Sequence, residues 1–245
     1  MIIAGFIIVI TSFIQSLFGA GIVLLGLPSL ILLGHDYLET LSLVLSCSLV
    51  LSLTQTFQNK IKSQSVGNLQ KSFLIWGFPL IGIGSILSIM FQASFKIHIF
   101  IGFVLLLSVF LKFFKPALSL INNIVTKYQS FYLLLTGLIH GFSNAGGGLL
   151  TLWASKNIVN PKELRTVLAF CYIFMNAIQI LILLWWGKFY LELGHFIILL
   201  LSFLTYILVG NRAYQKINQK IYQKLINGLI VIIALLLIFK DKITS

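Results

Sequence analysis

The sequence predicts an all-α integral membrane protein with about eight hydrophobic segments in two inverted repeats. Of its 245 residues, 59% are hydrophobic and only 9% are charged, a composition far from that of a soluble domain. Apolar runs of roughly 17 to 25 residues recur along the chain, which is the length a helix needs to cross a bilayer. The two halves of the chain also resemble each other, while the charges of their equivalent loops differ.

Six of the apolar segments are uninterrupted and are predicted as ordinary spans. They lie near 38–57, 72–91, 97–114, 163–187, 194–210 and 225–240. The other two, 1–34 and 130–155, carry the glycine-containing stretches SLFGAGIVLLGLP and FSNAGGGLL. We expect each of these to be two helical pieces with a break between them, forming either a re-entrant segment or a helix hairpin.

Internal similarity divides the chain into a first membrane repeat at 1–114, an inter-repeat loop at 115–129 and a second membrane repeat at 130–245. Shifts of 125 and then 124 positions superimpose the rarer residues of the two halves. The superimposed pairs are Ala20 with Ala145, Gly21 with Gly146, Glu39 with Glu163, Cys47 with Cys171, and Gln55 with Gln179. Coincidence of rare residues at one shift indicates a repeat.

Loop charges predict that the two repeats have opposite orientations. Lys and Arg in short loops favour the cytoplasmic side. The 34–39 loop is acidic and the 58–71 loop is basic, whereas in the second half 156–165 is basic and 188–195 is balanced. Equivalent loops therefore lie on opposite sides, with the basic loops cytoplasmic and both termini external.

The glycine breaks are the predicted substrate site. Irregular backbone at membrane depth must face protein or a water-filled cavity, and a helix that begins there directs free N–H groups and the positive end of its dipole into that cavity. Such a helix start suits an anion. The candidate glycines are Gly19 and Gly21 in the first break and Gly146, Gly147 and Gly148 in the second. Close packing of helices is the alternative role of these glycines.

Polar residues beside the breaks are further candidates: Gln15, Ser16, His140, Ser143 and Asn144. Polar groups in a membrane are expected to face the bundle interior. Asn144 is expected either to contact the substrate or to act as the N-cap of the following helix. Ser143 is a candidate donor to an anion oxygen. His140 either offers a route to proton coupling or bonds a neighbouring helix.

The second span of each half contributes a matched set of candidates. Gln55 and Gln179, with Asn176 one helical turn before Gln179, are expected to contact the substrate or to join helices by hydrogen bonds. Cys47 and Cys171 lie within apolar spans, so no disulfide is expected. They are small packing residues or, alternatively, thiols that contact a sulfur compound.

Several functional classes are not supported by the sequence. The net charge of +12 comes from short loops rather than one basic face, so we expect no nucleic-acid partner. No metal constellation, no paired acids and no activated nucleophile are evident, so we expect no metal, no cofactor and no enzymatic activity. All five acids fall at span edges, which leaves coupling to a proton or sodium gradient open.

The two glycine-broken stretches resemble the sulfite exporter TauE/SafE family. GFIIVITSFIQSLFGAGIVLLGLPSLILLG in the first half and LLTGLIHGFSNAGGGLLTLWAS in the second carry the resemblance, which extends over nearly the whole chain. It implies a multi-pass carrier of small sulfur oxyanions or sulfonates in the bacterial inner membrane. The corresponding motif positions are Gly19, Gly21, Gly26, Pro28, Gly141, Gly146, Gly147 and Gly148.

This chain departs from the family pattern at both breaks. The first break, GAGIV, lacks the usual glycine cluster, and Trp153 stands where Pro28 aligns in the second half. We therefore expect the second break to be the more important for substrate. The leading hypothesis is a secondary transporter of small anions that works by alternating access. An anion channel of the same architecture and a structural or assembly membrane protein are the alternatives. The oligomeric state is open.

Overall fold

The structure, a computed structural model, describes residues 2–58, 63–92, 95–215 and 219–243. Within these ranges every regular element is helical, as the sequence predicts. The helices of the first half are α1 Ile2–Phe18, α2 Ile22–Leu32, α3 Tyr37–Gln58, α4 Gln64–Phe91, α5 Ile97–Phe113 and α6 Lys115–Lys127. Those of the second half are α7 Gln129–Ser143, α8 Gly147–Asn157, α9 Pro161–Trp185, α10 Leu193–Tyr214, α11 Gln219–Ile238 and α12 Lys240–Ile243.

Four of the described helices are long and apolar enough to cross a membrane, namely α3, α4, α9 and α10. Helices α5 and α6 pass the same test together, although the chain bends by 99° between them, which brings the candidate spans to five. Helices α1 and α2 and the apolar part of α11 are shorter. The chain is therefore a multi-pass helical membrane protein, and the total of eight segments stays a prediction.

The segment 115–129, predicted as a connecting loop, is mostly helical. Helix α6 begins with Pro116 in its first turn, a position that suits proline because its missing N–H has no intrahelical partner. Leu118, Ile121 and Ile124 recur at helical spacing and pack against the core. The loop assignment was wrong because it relied on the lysines at 112, 115 and 127, which lie at and just beyond the helix ends. The boundaries of the two repeats stay a prediction.

Helix pairing follows a regular pattern across the two halves. Helix α4 packs on α7, and α10 packs on α1. Helix α3 packs on α9, and α5 packs on α11. Helix α2 contacts α11, and α8 contacts α5. If α1 to α5 are matched in order with α7 to α11 and the two sets are exchanged, the list of contacts stays the same. The α4–α7 contact, for example, becomes the α10–α1 contact.

Glycines allow α4 and α7 to approach closely. A Cβ added to Gly137 would overlap the carbonyl oxygen of Gly77, and one on Gly141 would overlap that of Ile81. On the opposite helix, a Cβ on Gly84 would overlap the carbonyl oxygen of Leu138. Small residues permit such backbone contact between membrane helices. Glycine therefore has a packing role on α4 and α7, away from the two breaks.

The two ends of the bundle carry different charges. Residues of the 34–39 and 188–195 segments line one vestibule of about 580 Å³, which contains Asp36, Glu39, Glu192 and Lys188. Both segments were predicted to be external. At the other end, Lys156 donates to the carbonyl oxygen of Asn122 at 2.5 Å, which joins the basic end of α8 to α6.

Candidate substrate site

The two glycine breaks begin with the same backbone geometry. Helix α1 is followed by Gly19 with φ of 78°, and α7 is followed by Asn144 with φ of 59°. The N–H of Gly19 donates to the carbonyl oxygen of Gln15 at 2.8 Å, and that of Asn144 donates to that of His140 at 2.6 Å. These pairs are 125 residues apart. Each helix therefore ends in a left-handed residue of the kind that closes a helix C-terminus.

The first break is closed by hydrogen bonds. The Gln15 side-chain oxygen accepts from the N–H of Ile22 at 3.2 Å, at the start of α2. Its amide nitrogen donates to the hydroxyls of Ser48 at 3.2 Å and Ser52 at 3.3 Å. Gln55 donates to the carbonyl oxygen of Gln15 at 2.8 Å. Gln15 thus caps the second helix of its own break and ties it to α3.

The second break holds polar groups without partners. His140 occupies the position equivalent to Gln15, and it is completely buried with neither ring nitrogen hydrogen-bonded. The Asn144 side chain is also completely buried, and neither its oxygen nor its nitrogen has a partner. Buried polar side chains are normally hydrogen-bonded, so each exception calls for an explanation. These two exceptions lie four residues apart beside a helix start, which makes their side chains candidates for contact with a polar ligand.

Asn144 is therefore not the N-cap suggested for the following helix. Gly146 precedes α8, and no side chain caps its first turn, whereas Asn144 closes α7. Ser143, a candidate donor to an anion, instead donates to the carbonyl oxygen of Ile139 at 2.8 Å and accepts from the N–H of Ala145 at 3.3 Å.

Two aromatic residues of α8 and α9, which the sequence did not identify as site candidates, also have unpaired polar atoms. The ring of Tyr172 meets that of His140 edge-on, with 5.8 Å between centroids. Its hydroxyl has no hydrogen-bond partner and lies against Gly147, where an added Cβ would overlap it. The indole N–H of Trp153 is likewise buried without a partner. A tyrosine inside an apolar span, directly after Cys171, was the available signal.

Helix α9 links the two breaks through the predicted amides. Asn176 donates to the Ser48 hydroxyl at 3.0 Å and thereby joins the network of the first break. Gln179 donates to the carbonyl oxygen of Gly141 at 3.4 Å. Gly141 lies on α7, the helix that precedes the second break. The side-chain oxygens of Asn176 and Gln179, and that of Gln55, have no partner. The amides therefore join helices by hydrogen bonds, which is one of the two roles predicted for them. Their side-chain oxygens remain as unpaired acceptors in the interior.

Several other predicted residues have packing or hydrogen-bonding roles within the bundle. Cys47 and Cys171 are buried free thiols on α3 and α9, which pack on each other. Ser16 donates to the carbonyl oxygen of Phe13 at 2.6 Å. Gly148 packs against Ser108 of α5, whose hydroxyl oxygen lies 2.5 Å from the position of an added Cβ. Among the described residues, no group of His, Cys, Asp or Glu side chains is arranged to hold a metal ion.

Arg165 is a buried cation that sequence reasoning treated as part of a basic loop. Its guanidinium donates to the hydroxyl of Tyr206 at 3.1 Å and lies 4.5 Å from the ring centroid of Tyr214. The Tyr206 hydroxyl in turn donates to Gln58 at 3.0 Å. None of the ion pairs among the described residues involves Arg165, so aromatic rings and a hydroxyl stabilise its charge.

Access to the second break differs between the two ends of the bundle. On the acidic side, Tyr37 lines the vestibule and donates to the carbonyl oxygen of Phe142 at 3.3 Å, while Ser88 donates to the Tyr37 hydroxyl at 3.1 Å. The crevice where Asn144 and Ser143 face α2 has about 0 Å³ of free space. On the basic side, a cavity of about 80 Å³ reaches both Ala20 and Gly148.

An apolar helical chain with several candidate spans is a multi-pass membrane protein, and here its interior is polar at two helix breaks. The model of the family described as Sulfite exporter TauE/SafE matches residues 3–237. The chain therefore belongs to the sulfite exporter TauE/SafE family, a family of membrane transporters, and the resemblance seen in the sequence is confirmed. Membership implies a small sulfur-containing anion as cargo. No curated protein and no solved structure matches the chain.

Proposed function

We propose that this protein is a secondary transporter of small sulfur-containing oxyanions or sulfonates, such as sulfite, in the bacterial inner membrane. The observation that carries the proposal is the second break, where His140 and Asn144 present buried, unpaired polar atoms beside the start of α8. Free N–H groups at a helix start and neutral hydrogen-bond donors together suit an oxyanion. Family membership supports the sulfur chemistry.

In the proposed site the second break binds the anion and the first break is mainly structural. The N–H groups of Gly146, Gly147 and Gly148 face the substrate, with donors from His140 and Asn144. The equivalent first helix start is already occupied by the Gln15 side chain. The Gln55, Asn176 and Gln179 amides hold α3 and α9 against the breaks and line the interior. The unpaired Tyr172 hydroxyl is an additional donor.

Alternating access between two inverted repeats is the proposed mechanism. The helix contacts that exchange between the halves support a repeat of 1–114 with 130–245, as does the left-handed backbone shared by Gly19 and Asn144. Transporters of this plan rock one repeat against the other around a central site. Tyr37 closes the acidic side in this conformation, while the basic-side cavity reaches Gly148.

Carboxylates do not offer a route for coupling within the bundle. The five acids of the chain are exposed or only partly buried. Because buried carboxylates are the common carriers of protons in membranes, His140 is the titratable group at the break that offers a route for protons. A sodium gradient is the other candidate driving force. The transport assay is therefore run with a proton gradient and with a sodium gradient.

The proposal is tested by counterflow in proteoliposomes. Vesicles loaded with unlabelled sulfite are diluted into radiolabelled sulfite, with thiosulfate, a sulfonate, sulfate and acetate compared in parallel under proton and sodium gradients. A carrier concentrates the label transiently and saturates, because internal substrate exchanges for external substrate. A channel of the same architecture gives flux without this overshoot. Absence of flux for the whole panel from folded protein would overturn the proposed substrate class.

A further inference from the structure

The cavity on the basic side of the second break carries one cation. Its wall is mostly apolar, with Lys112 near the end of α5, Ser108, Ser155, Gly148 and Asn227 among the other lining residues, and it has about 80 Å³ of free space. One water needs about 10–15 Å³ of such space. The cavity therefore accommodates a small oxyanion with part of its hydration, and it touches residues of both breaks.

Helix spacing connects Lys112 to the second break. Ser108 and Lys112 are four residues apart on α5 and share one face of that helix. Ser108 packs directly on Gly148 in the first turn of α8. Thr151 and Ser155 continue the same face of α8 along the cavity wall. A path lined by these side chains therefore runs from the helix start to the lysine, two helical turns along α8.

The charge of Lys112 is not neutralised by the protein in the described residues. The side chain is half-buried, and none of the ion pairs among the described residues includes it. None of the cavity-lining residues is an acid. A partly desolvated ammonium without a counter-ion attracts anions more strongly than an exposed one, since solvent screens it less.

We propose that Lys112 is the cation of an oxyanion-binding site in this cavity, through which substrate reaches the second break from the basic side. This inference rests on the proposed function and adds to it a second position for the anion. The Lys112 ammonium captures the anion, and the N–H groups at the start of α8 then receive it. An anionic lipid headgroup offers the same phosphate or sulfonate chemistry to a lysine near a helix end, so the test separates the two sources.

The test compares Lys112→Gln, Lys112→Arg and Lys115→Gln with the wild type. Lys115 is an exposed lysine three residues away that does not line the cavity, so its variant matches the change in net charge. Sulfite KM in proteoliposomes is expected to rise about tenfold or more for Lys112→Gln, as for loss of a hydrogen bond between charged groups. It is expected to stay near wild type for Lys115→Gln and for Lys112→Arg.

Two lipid compositions and a binding assay complete the experiment. The KM difference is expected in vesicles of phosphatidylcholine alone as well as in vesicles containing phosphatidylglycerol. Its disappearance in phosphatidylcholine would assign the lysine to a lipid headgroup and overturn the inference. Sulfite is also expected to raise the melting temperature of the detergent-solubilised wild type and of Lys115→Gln, and to need about tenfold more sulfite for the same rise in Lys112→Gln, at constant ionic strength.

The outcomes distinguish this inference from the proposed function. Wild-type counterflow with equal KM for Lys112→Gln and Lys115→Gln would overturn the role of Lys112 and leave the transporter proposal intact. Absence of wild-type flux together with absence of any sulfite-induced stabilisation would overturn both. A variant of Lys112 that fails to fold is replaced by Ser155→Leu, which blocks the same cavity from α8 and is expected to raise KM in the same way.

Discussion

Gln15 and His140 occupy equivalent positions before the two breaks, yet only the side chain of Gln15 is hydrogen-bonded. The Gln15 side-chain oxygen accepts from the N–H that begins α2, while both ring nitrogens of His140 are buried without a partner. The helix start of the first break is thus bonded by a side chain, whereas no side chain caps that of the second. The asymmetry explains why the second break is the proposed binding site.

His140→Gln is expected to convert the second break into a copy of the first. The new amide is expected to accept from the N–H of Gly147, as Gln15 does from Ile22, and to contribute about 1 kcal/mol to the free energy of unfolding. Sulfite flux is expected to fall about tenfold or more, which corresponds to about 1.4 kcal/mol. Flux and thermal unfolding are measured on the same preparations, with His35→Gln as the control. Wild-type flux in the His140→Gln protein would contradict the assignment.

Gly147→Ala is expected to destabilise the protein by about 1–3 kcal/mol, because its Cβ would overlap the Tyr172 hydroxyl. The double variant Gly147→Ala with Tyr172→Phe removes that oxygen and leaves the ring carbon Cζ 3.2 Å from the new Cβ. The double variant is expected to regain most of the free energy of unfolding that Gly147→Ala loses. Denaturant unfolding of the two single variants and the double variant measures the coupling. Additive effects would show that the contact with Tyr172 does not limit the size of residue 147.

Gly84→Ala is expected to lower the free energy of unfolding, because the added methyl group prevents the close approach of α4 and α7. An added Cβ would overlap the carbonyl oxygen of Leu138, and backbone cannot yield as a flexible side chain can. The cost is expected to be about 1–3 kcal/mol. Gly228→Ala is the matched control, because a Cβ at Gly228 meets nothing within 4 Å. Equal melting temperatures for the two variants would contradict the packing role.

Much of the fold is predictable from the sequence because the signals are local. Hydropathy marks most of the apolar helices, and the glycines mark both breaks. The helical state of 115–127 was missed because an amphipathic helix with lysines at its ends has the composition of a membrane loop. Its signal was the helical spacing of Leu118, Ile121 and Ile124 behind Pro116.

The candidate site is less predictable, because it depends on contacts between distant segments. His140 and Asn144 could be selected from their position beside the glycines. Tyr172, Lys112 and Arg165 could not be selected in this way. The packing of α9 and α5 places Tyr172 and Lys112 beside α8, and the guanidinium of Arg165 is buried against tyrosines of α10. The capping role of Asn144 was misassigned because its left-handed backbone is not evident from residue type alone.

Asn144→Gly gives the most direct test of the proposed site. Glycine adopts the left-handed backbone of Asn144 at no steric cost, so the variant removes the amide and keeps the break. Asn144→Leu serves for comparison, because a bulky residue in that conformation costs about 1–2 kcal/mol. Saturable sulfite counterflow is measured for both variants and for Gly228→Ala, each with its melting temperature.

We expect Asn144→Gly to keep the wild-type melting temperature within a few degrees and to lose at least about tenfold in sulfite kcat/KM, equivalent to about 1.4 kcal/mol. Gly228→Ala is expected to match the wild type in both quantities. Wild-type counterflow in a well-folded Asn144→Gly protein would contradict the central claim that the second break binds the anion.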